Sequence, residues 1–220
     1  MLIDSRYRTA TLIGILLACF NQLAGVNAIN FYSKVIFADV FDSDNAVTIG
    51  TALTGVSQII GVLIAPLLGA KLGLKTILVF GSGCCTVCMG LVAIFCTIDQ
   101  STLVLVFILL FLIAFQASQG SFFFTYVAEV AEDASVAWAN FVLFTLILIL
   151  SLVTQQLFDA LGNDWAFGMF AFFNLFATIT MQLVLKDISG LSKTESKLVY
   201  AKQQRSQSAQ AYTAVASDRD

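Results

Sequence analysis

The feature that most constrains this chain is a series of six long segments without Asp, Glu, Lys or Arg in their interiors. They run at about residues 10–32, 47–70, 76–98, 102–128, 134–158 and 165–185. A helix needs roughly 20 apolar residues to cross the ~30 Å hydrocarbon core of a bilayer. Each segment is continuously apolar rather than alternating, so it predicts a membrane-spanning helix and not a barrel strand.

The composition agrees with a membrane protein, because 59% of the 220 residues are hydrophobic and only 11% are charged. The surface of a soluble domain is normally rich in charged side chains. We therefore predict an all-α, polytopic membrane protein. It has an N-terminus of residues 1–8, a bundle of residues 9–185 and a polar tail of residues 186–220, with a short helix over 193–205. The net charge of -3, without a basic patch, argues against nucleic acid as a partner.

The Lys and Arg residues predict the orientation. With six spans, one side of the membrane holds Arg6, Arg8, Lys71, Lys75, Lys186, Lys193, Lys197, Lys202, Arg205 and Arg219. The other side holds only Lys34. Cytosolic loops carry the excess of positive charge, so both termini are expected in the cytosol.

Metal and catalytic chemistry have little support in the sequence. There is no histidine, which removes the commonest general base and metal ligand. Cys84, Cys85 and Cys88 have the spacing of a redox or metal motif, but the alternative is that they are small apolar side chains of a helix. The spans also lack Asp. We expect no metal, no cofactor and no enzymatic activity.

The first segment is unusual because it carries several amide side chains at mid-membrane depth. At about 100° per residue, Gln22, Asn27 and Asn30 fall within an arc of roughly 140°. Gly25 lies among them, where a helix can loosen and free backbone groups toward a ligand. Amides donate and accept hydrogen bonds without charge, which suits a neutral polyhydroxylated solute. The alternative is that they only join helices to one another.

The second segment carries one more amide, Gln58, which we expect to face the same cavity as Gln22. Small residues then recur every four positions, as in close helix packing. This ridge consists of Gly61, Ala65, Gly69 and Gly73.

In the fourth segment, polar residues from Gln116 to Ser121 surround Gly120 and indicate a bend. Phe124 follows, and its ring could stack on the apolar face of a sugar or simply pack in the membrane. Glu129 ends the segment on the cytosolic side. We expect it to pair with Lys71 or Lys75, unless it is only a solvated helix end.

The residues of the first segment, NQLAGVNAINFYS, resemble the QQLSGINAxxYYS motif that opens the seventh helix of sugar porters in the major facilitator superfamily. The resemblance implies that Asn21, Gln22 and Asn27 contact a hexose. It also places Gln58 on an asparagine of the eighth helix, and KLGLK, residues 71–75, on the RxGRR loop.

The same resemblance extends over the fourth segment and the tail. Gln116 lies in the position of the E-x-G-P-G-P stretch of the tenth helix, and Phe124 in that of a sugar-facing tryptophan. Glu129 matches a glutamate that ends this helix. KDISGL, residues 186–191, is similar to the PETKG motif. Gln119 and Ser121 depart from the pattern because they replace its two prolines.

The resemblance covers the whole chain, but only as helices seven to twelve of a twelve-helix carrier. It implies a hexose or a related sugar as substrate, alternating access as the mechanism, and the plasma membrane as the location. The partner would be a missing N-terminal half or a second copy. The alternative is a six-helix membrane protein that does not transport but acts as a sensor, a scaffold or a partner of another half.

Overall fold

The computed structural model describes residues 8–40 and 44–200. By length and composition, six stretches of helix in it can cross a membrane. They are Arg8–Ala38, Val47–Gly69, Leu74–Thr97, Ser101–Val130, Asp133–Leu161 and Asn163–Val184. The prediction of six membrane-spanning helices is therefore confirmed, and the described residues contain no strand.

Two of the six spans are interrupted helices. The elements in chain order are α1 (Arg8–Leu23), α2 (Val26–Val40), α3 (Asp44–Gly69), α4 (Leu74–Thr97), α5 (Ser101–Phe115), a π-helical turn (Gln116–Gly120), α6 (Ser121–Val130), α7 (Asp133–Leu161) and α8 (Asn163–Val184). A short helix, α9, follows at residues 193–200. The first span continues further than the predicted residue 32, because α2 extends past Lys34. The part of the predicted tail helix beyond residue 200 lies outside the described residues.

The first span is broken at Gly25, as the sequence predicted. Its φ is +95°, a conformation that side chains with a Cβ rarely adopt. A Cβ at this position would lie 2.8 Å from the ring of Phe170 on α8. Glycine is thus required both by the backbone and by the close approach of α8, and the break fixes where α1 ends and α2 begins.

Two apolar cores lie at opposite ends of the bundle. One contains Leu17, Tyr126 and Met181, and the other contains Phe37 and Phe167. Buried polar residues lie on the helices that connect them. They include Asn21, Gln22, Ser82, Ser118, Gln119 and Asn174, each 7% exposed or less. Polar side chains inside the membrane face protein or water rather than lipid, and these six form the interior from which the site is built.

The ends of the bundle meet on one side. Near the start of α1, Thr11 Oγ1 lies 2.7 Å from Ser135 Oγ at the start of α7. At the start of α4, Lys75 Nζ donates to the carbonyl oxygen of Gln182 near the end of α8, at 3.0 Å. In addition, Ala10 of α1 and Leu185, just after α8, belong to one apolar core, so both ends of the bundle lie on the same side.

The outward surface is strongly apolar. Large side chains such as Leu63, Leu152 and Leu183 are 68%, 66% and 79% exposed. A soluble monomer rarely leaves so many large apolar side chains in water. Exposure of this kind is expected where lipid is the solvent.

Candidate functional site

A chain of hydrogen-bonded amides runs along the broken first span. Asn27 Nδ2 donates to Gln22 Oε1. Gln22 Nε2 donates to Asn21 Oδ1 at 3.0 Å. Asn21 Nδ2 donates in turn to the carbonyl oxygen of Gln119 in the π-helical turn, at 3.2 Å. The chain therefore links the break of the first span to the interruption of the fourth.

The residues of this amide chain differ in their access to a ligand. Asn21 is 7% exposed and Gln22 is 3% exposed, so most of their polar atoms face protein. Asn27 is half-buried, and it carries no hydrogen bond on Oδ1 within the described residues. Of the three predicted sugar contacts in the first span, Asn27 is the one with an uncommitted acceptor.

Gln58 lies next to the same face of α2. Its Nε2 donates to Asn30 Oδ1 at 2.9 Å and approaches the carbonyl oxygen of Thr54 at 3.4 Å. Gln58 is half-buried and Asn30 is exposed. Asn27 and Asn30 are three residues apart on one helix, so they occupy the same face one turn apart. The structure thus places Gln58 beside the amides of the first span.

One backbone carbonyl that the break frees is already occupied. Asn174 Nδ2 donates to the oxygen of Ala24 at 3.0 Å and to that of Phe170 at 2.9 Å. The expectation that the break presents free backbone groups to a ligand is therefore wrong for Ala24. Sequence reasoning missed Asn174, and its signal was an isolated amide within an otherwise apolar span.

The predicted bend of the fourth span is a π-helical turn. Ser121 Oγ donates to the carbonyl oxygen of Gln116, five residues earlier, at 2.7 Å. A Cβ at Gly120 would lie 2.4 Å from Gln116 Oε1, and a Cβ at Gly61 of α3 would lie 2.7 Å from Gln116 Cβ. Glycines on two helices therefore make room for Gln116. π-helical turns of this kind often mark functional sites.

Gln116 and Phe124 are less closely joined to the amides. Gln116 is half-buried, and within the described residues its side chain makes no hydrogen bond to Asn27 or Gln58. Phe124 is 46% exposed, and its ring lies edge-on to that of Phe123 at 4.8 Å. Both residues remain predicted contacts of a ligand.

Gln119 is buried without a hydrogen-bond partner for its side chain. It is 1% exposed, and neither Nε2 nor Oε1 is bonded within the described residues. Asn174 Oδ1 is also buried and has no hydrogen-bond partner within the described residues. An unpaired buried amide costs free energy, of the order of 1–3 kcal/mol.

The predicted charge latch lies at the end of the bundle where the tail packs. Lys71 and Glu129 line a cavity of about 690 Å³. Phe122 and the segment Ile188–Leu191 also face it. Lys75 Nζ instead donates a hydrogen bond to the carbonyl oxygen of Gln182. Within the described residues, neither lysine forms an ion pair with Glu129; the ion pair at this end joins Lys197 to Glu132 at 3.0 Å.

The tail is fastened to the bundle by two tyrosines that sequence reasoning did not identify. Tyr126 and Tyr200 share a hydrogen bond of 2.6 Å between their hydroxyls. The backbone N–H of Lys186 donates to both hydroxyls, at 3.2 and 3.0 Å. Burial raises the pKa of Tyr200. The residues of α9 are thus part of this end of the fold.

Residues 1–199 match a family described as sugar (and other) transporter. The arabinose-proton symporter of Bacillus subtilis is 27% identical over 201 residues, which are 89% of this chain and 43% of that protein. The glucose transporter GlcP of Staphylococcus epidermidis is 29% identical over 192 residues, 84% of this chain and 43% of that protein. The chain thus spans about 43% of the length of these curated relatives.

Solved structures share the fold. A double tryptophan mutant of XylE superposes with a TM-score of 0.76 at 18% identity, over 87% of this chain and 43% of that one. The proton:xylose symporter XylE, a major facilitator superfamily protein bound to 6-bromo-6-deoxy-D-glucose, gives 0.72 at 17% identity, over 86% and 42%. These likenesses establish the fold, and the match to residues 1–199 establishes the family. The chain is a multi-pass membrane protein that belongs to the sugar (and other) transporter family.

Proposed function

We propose that this chain is the C-terminal half of a carrier for a hexose or a related sugar. The observation that carries the proposal is the row of partly exposed amides, Asn27, Asn30 and Gln58, on adjoining faces of α2 and α3. Uncharged amides can pair with sugar hydroxyls without the cost of desolvating an ion. In this proposal Asn21 and Gln22 hold Asn27 in place from behind.

The proposed partner is an N-terminal half of six further helices, and a second copy of this chain is the alternative. The relatives are more than twice as long as the segment that they share with this chain. Phe31 and Val35 of α2 are 54% and 42% exposed next to Asn30, which is an apolar rim suited to another helical surface. Carriers of this superfamily rock two such halves around a site at the midplane.

We propose the plasma membrane as the location, with both termini in the cytosol. The distribution of positive charge supports the orientation. Lys71, Lys75, Lys186 and Lys197 all lie at the end of the bundle where the tail packs, whereas Lys34 lies near the end of α2. Residues 1–8 and the tail from residue 186 would then face the cytosol.

We propose that Glu129 pairs with Lys71 or Lys75 when the cytosolic side closes. Lys71 and Glu129 already share one cavity of about 690 Å³. Its size leaves room for the side chains to move toward one another. The pair would form in one state of the transport cycle and separate in the other, which is how a latch biases a two-state equilibrium.

The test is uptake of labelled glucose by proteoliposomes that contain the protein expressed from its complete reading frame. We expect uptake by the wild type, and an apparent KM several times higher for Gln22→Ala. Gln156→Ala is the matched control, because Gln156 is an exposed amide on α7. Absence of glucose uptake by correctly inserted wild-type protein would contradict the proposal and favour the sensor or scaffold alternative. So would an unchanged KM in Gln22→Ala.

A further inference from the structure

The hydrogen bond between α2 and α3 fixes the orientation of two amides. Gln58 Nε2 is committed to Asn30 Oδ1 at 2.9 Å, with the carbonyl oxygen of Thr54 at 3.4 Å on its other side. The atoms left without a hydrogen bond, within the described residues, are Gln58 Oε1 and Asn30 Nδ2. The amide of Gln58 is therefore held with Oε1 available to accept a hydrogen bond from a ligand, and that of Asn30 with Nδ2 available to donate one.

Asn27 adds a second acceptor to the same face. Its Nδ2 donates one N–H to Gln22 Oε1, so Oδ1 and the second N–H of Nδ2 remain. Asn27 and Asn30 are one helical turn apart. The face consequently presents two carbonyl acceptors, from Asn27 and Gln58, and N–H donors from Asn30 and Asn27.

This arrangement matches two neighbouring hydroxyl groups better than one. Each hydroxyl donates one hydrogen bond and accepts others. One hydroxyl can donate to Asn27 Oδ1 while it accepts from Asn30 Nδ2, and its neighbour can donate to Gln58 Oε1. A ligand that lacks one of these hydroxyls leaves a site atom unpaired, and sites built from hydrogen-bonding groups reject such ligands strongly.

We propose that Asn30 determines specificity for a vicinal diol of the substrate, both through its own Nδ2 and by holding Gln58 as an acceptor. Asn30 is not among the residues that the family resemblance assigns to sugar contact. The proposal rests on the proposed function, because it names what the same site recognises.

The test compares inhibition of labelled glucose uptake by the monodeoxy glucoses, each lacking one hydroxyl. In the wild type, we expect two analogues that lack neighbouring hydroxyls to inhibit about tenfold more weakly than glucose, and the others to inhibit nearly as well. In Asn30→Ala, the penalty for these two analogues should fall below about threefold, because Gln58 is free to turn its amide. Asn30→Asp keeps an acceptor for Gln58, and its carboxylate lacks the N–H donor while it adds a negative charge. It should relax the penalty for one analogue of the pair.

The outcomes separate the two proposals. If the wild type does not take up glucose, the proposed function fails and this inference fails with it. If the wild type takes up glucose but Asn30→Ala keeps the wild-type pattern of penalties, the inference alone is overturned. Gln156→Ala, the exposed amide on α7, should keep that pattern. A uniform loss of inhibition by all analogues in Asn30→Ala would show a structural role and would also overturn the inference.

Discussion

Substitution of Gly25 by alanine should destabilise the fold more than any ordinary surface change. Two costs add at this position. A residue with a Cβ is strained at φ +95°. The strain of a residue in the left-handed helical region, about 1–2 kcal/mol, sets its scale. The Cβ would also lie 2.8 Å from the ring of Phe170, and forcing extra volume into a packed interior costs about 1–3 kcal/mol. We expect Gly25→Ala to lower the free energy of unfolding by about 2–5 kcal/mol.

The free energy of unfolding can be followed in mixed micelles by SDS titration, with Trp138 and Trp165 as fluorescent reporters. Gly90→Ala is the matched control, because a Cβ at Gly90 would meet no atom within 4 Å and its φ is helical. Alanine is favoured over glycine within a helix by up to about 1 kcal/mol, so this control should be neutral or slightly stabilising. If Gly25→Ala were as stable as Gly90→Ala, the assignment of a required glycine at the break would be refuted.

Two further predictions concern the tail. Tyr200→Phe removes the 2.6 Å hydrogen bond to Tyr126 and the 3.0 Å bond from the Lys186 N–H. It should weaken the docking of the tail by about 1–3 kcal/mol. We expect trypsin to release the tail faster from this variant, and unchanged protection would contradict the role of the hydroxyl pair. The hydrogen bond from Ser189 Oγ, at 2.6 Å, is the largest cause that lowers the pKa of Asp187 below 3.8. Because the folded pKa is the lower one, this turn is stabilised above pH ~4 and loses that contribution as the pH falls through the lowered pKa. Ser189→Ala should therefore move the pKa of Asp187 back toward 3.8, as measured by NMR titration of its carboxyl carbon, and an unmoved pKa would show that another group is responsible.

The number and type of the helices followed from the sequence because hydropathy is a local property. A run of about 20 uncharged residues determines a membrane span without reference to its neighbours. The ridge on α3 was predictable for the same reason. The structure confirms its close packing at Gly61 and Gly69, where a Cβ would lie 2.7 Å from Gln116 and 2.9 Å from Phe122. The inclusion of Gly73 was wrong, because α3 ends at Gly69 and Gly73 precedes α4. The bend near Gly120 was also indicated, although its π-helical form was not.

Contacts that depend on which helices become neighbours were not predictable. Tyr126 and Tyr200 are 74 residues apart, and Asn174 bonds to a carbonyl 150 residues earlier. Neither pair has a spacing that a periodic pattern detects. Both are explained by a general requirement, because a buried hydroxyl or carbonyl must find a partner from whatever element packs against it. The sequence shows that Asn174 needs a partner but not where the partner lies.

The candidate site shows why a helical wheel alone could not separate ligand-facing amides from structural ones. The arc that grouped Gln22, Asn27 and Asn30 assumes one continuous helix, and the angular relation between positions holds only within such a helix. Gly25 interrupts it, with φ +95°. Gln22 consequently points inward at 3% exposure, whereas Asn30, beyond the break, is exposed. The three amides remain neighbours because hydrogen bonds reconnect them across the break and to α3. The pattern therefore grouped residues that lie together in the structure, and the roles proposed for them follow from which atoms these bonds leave free.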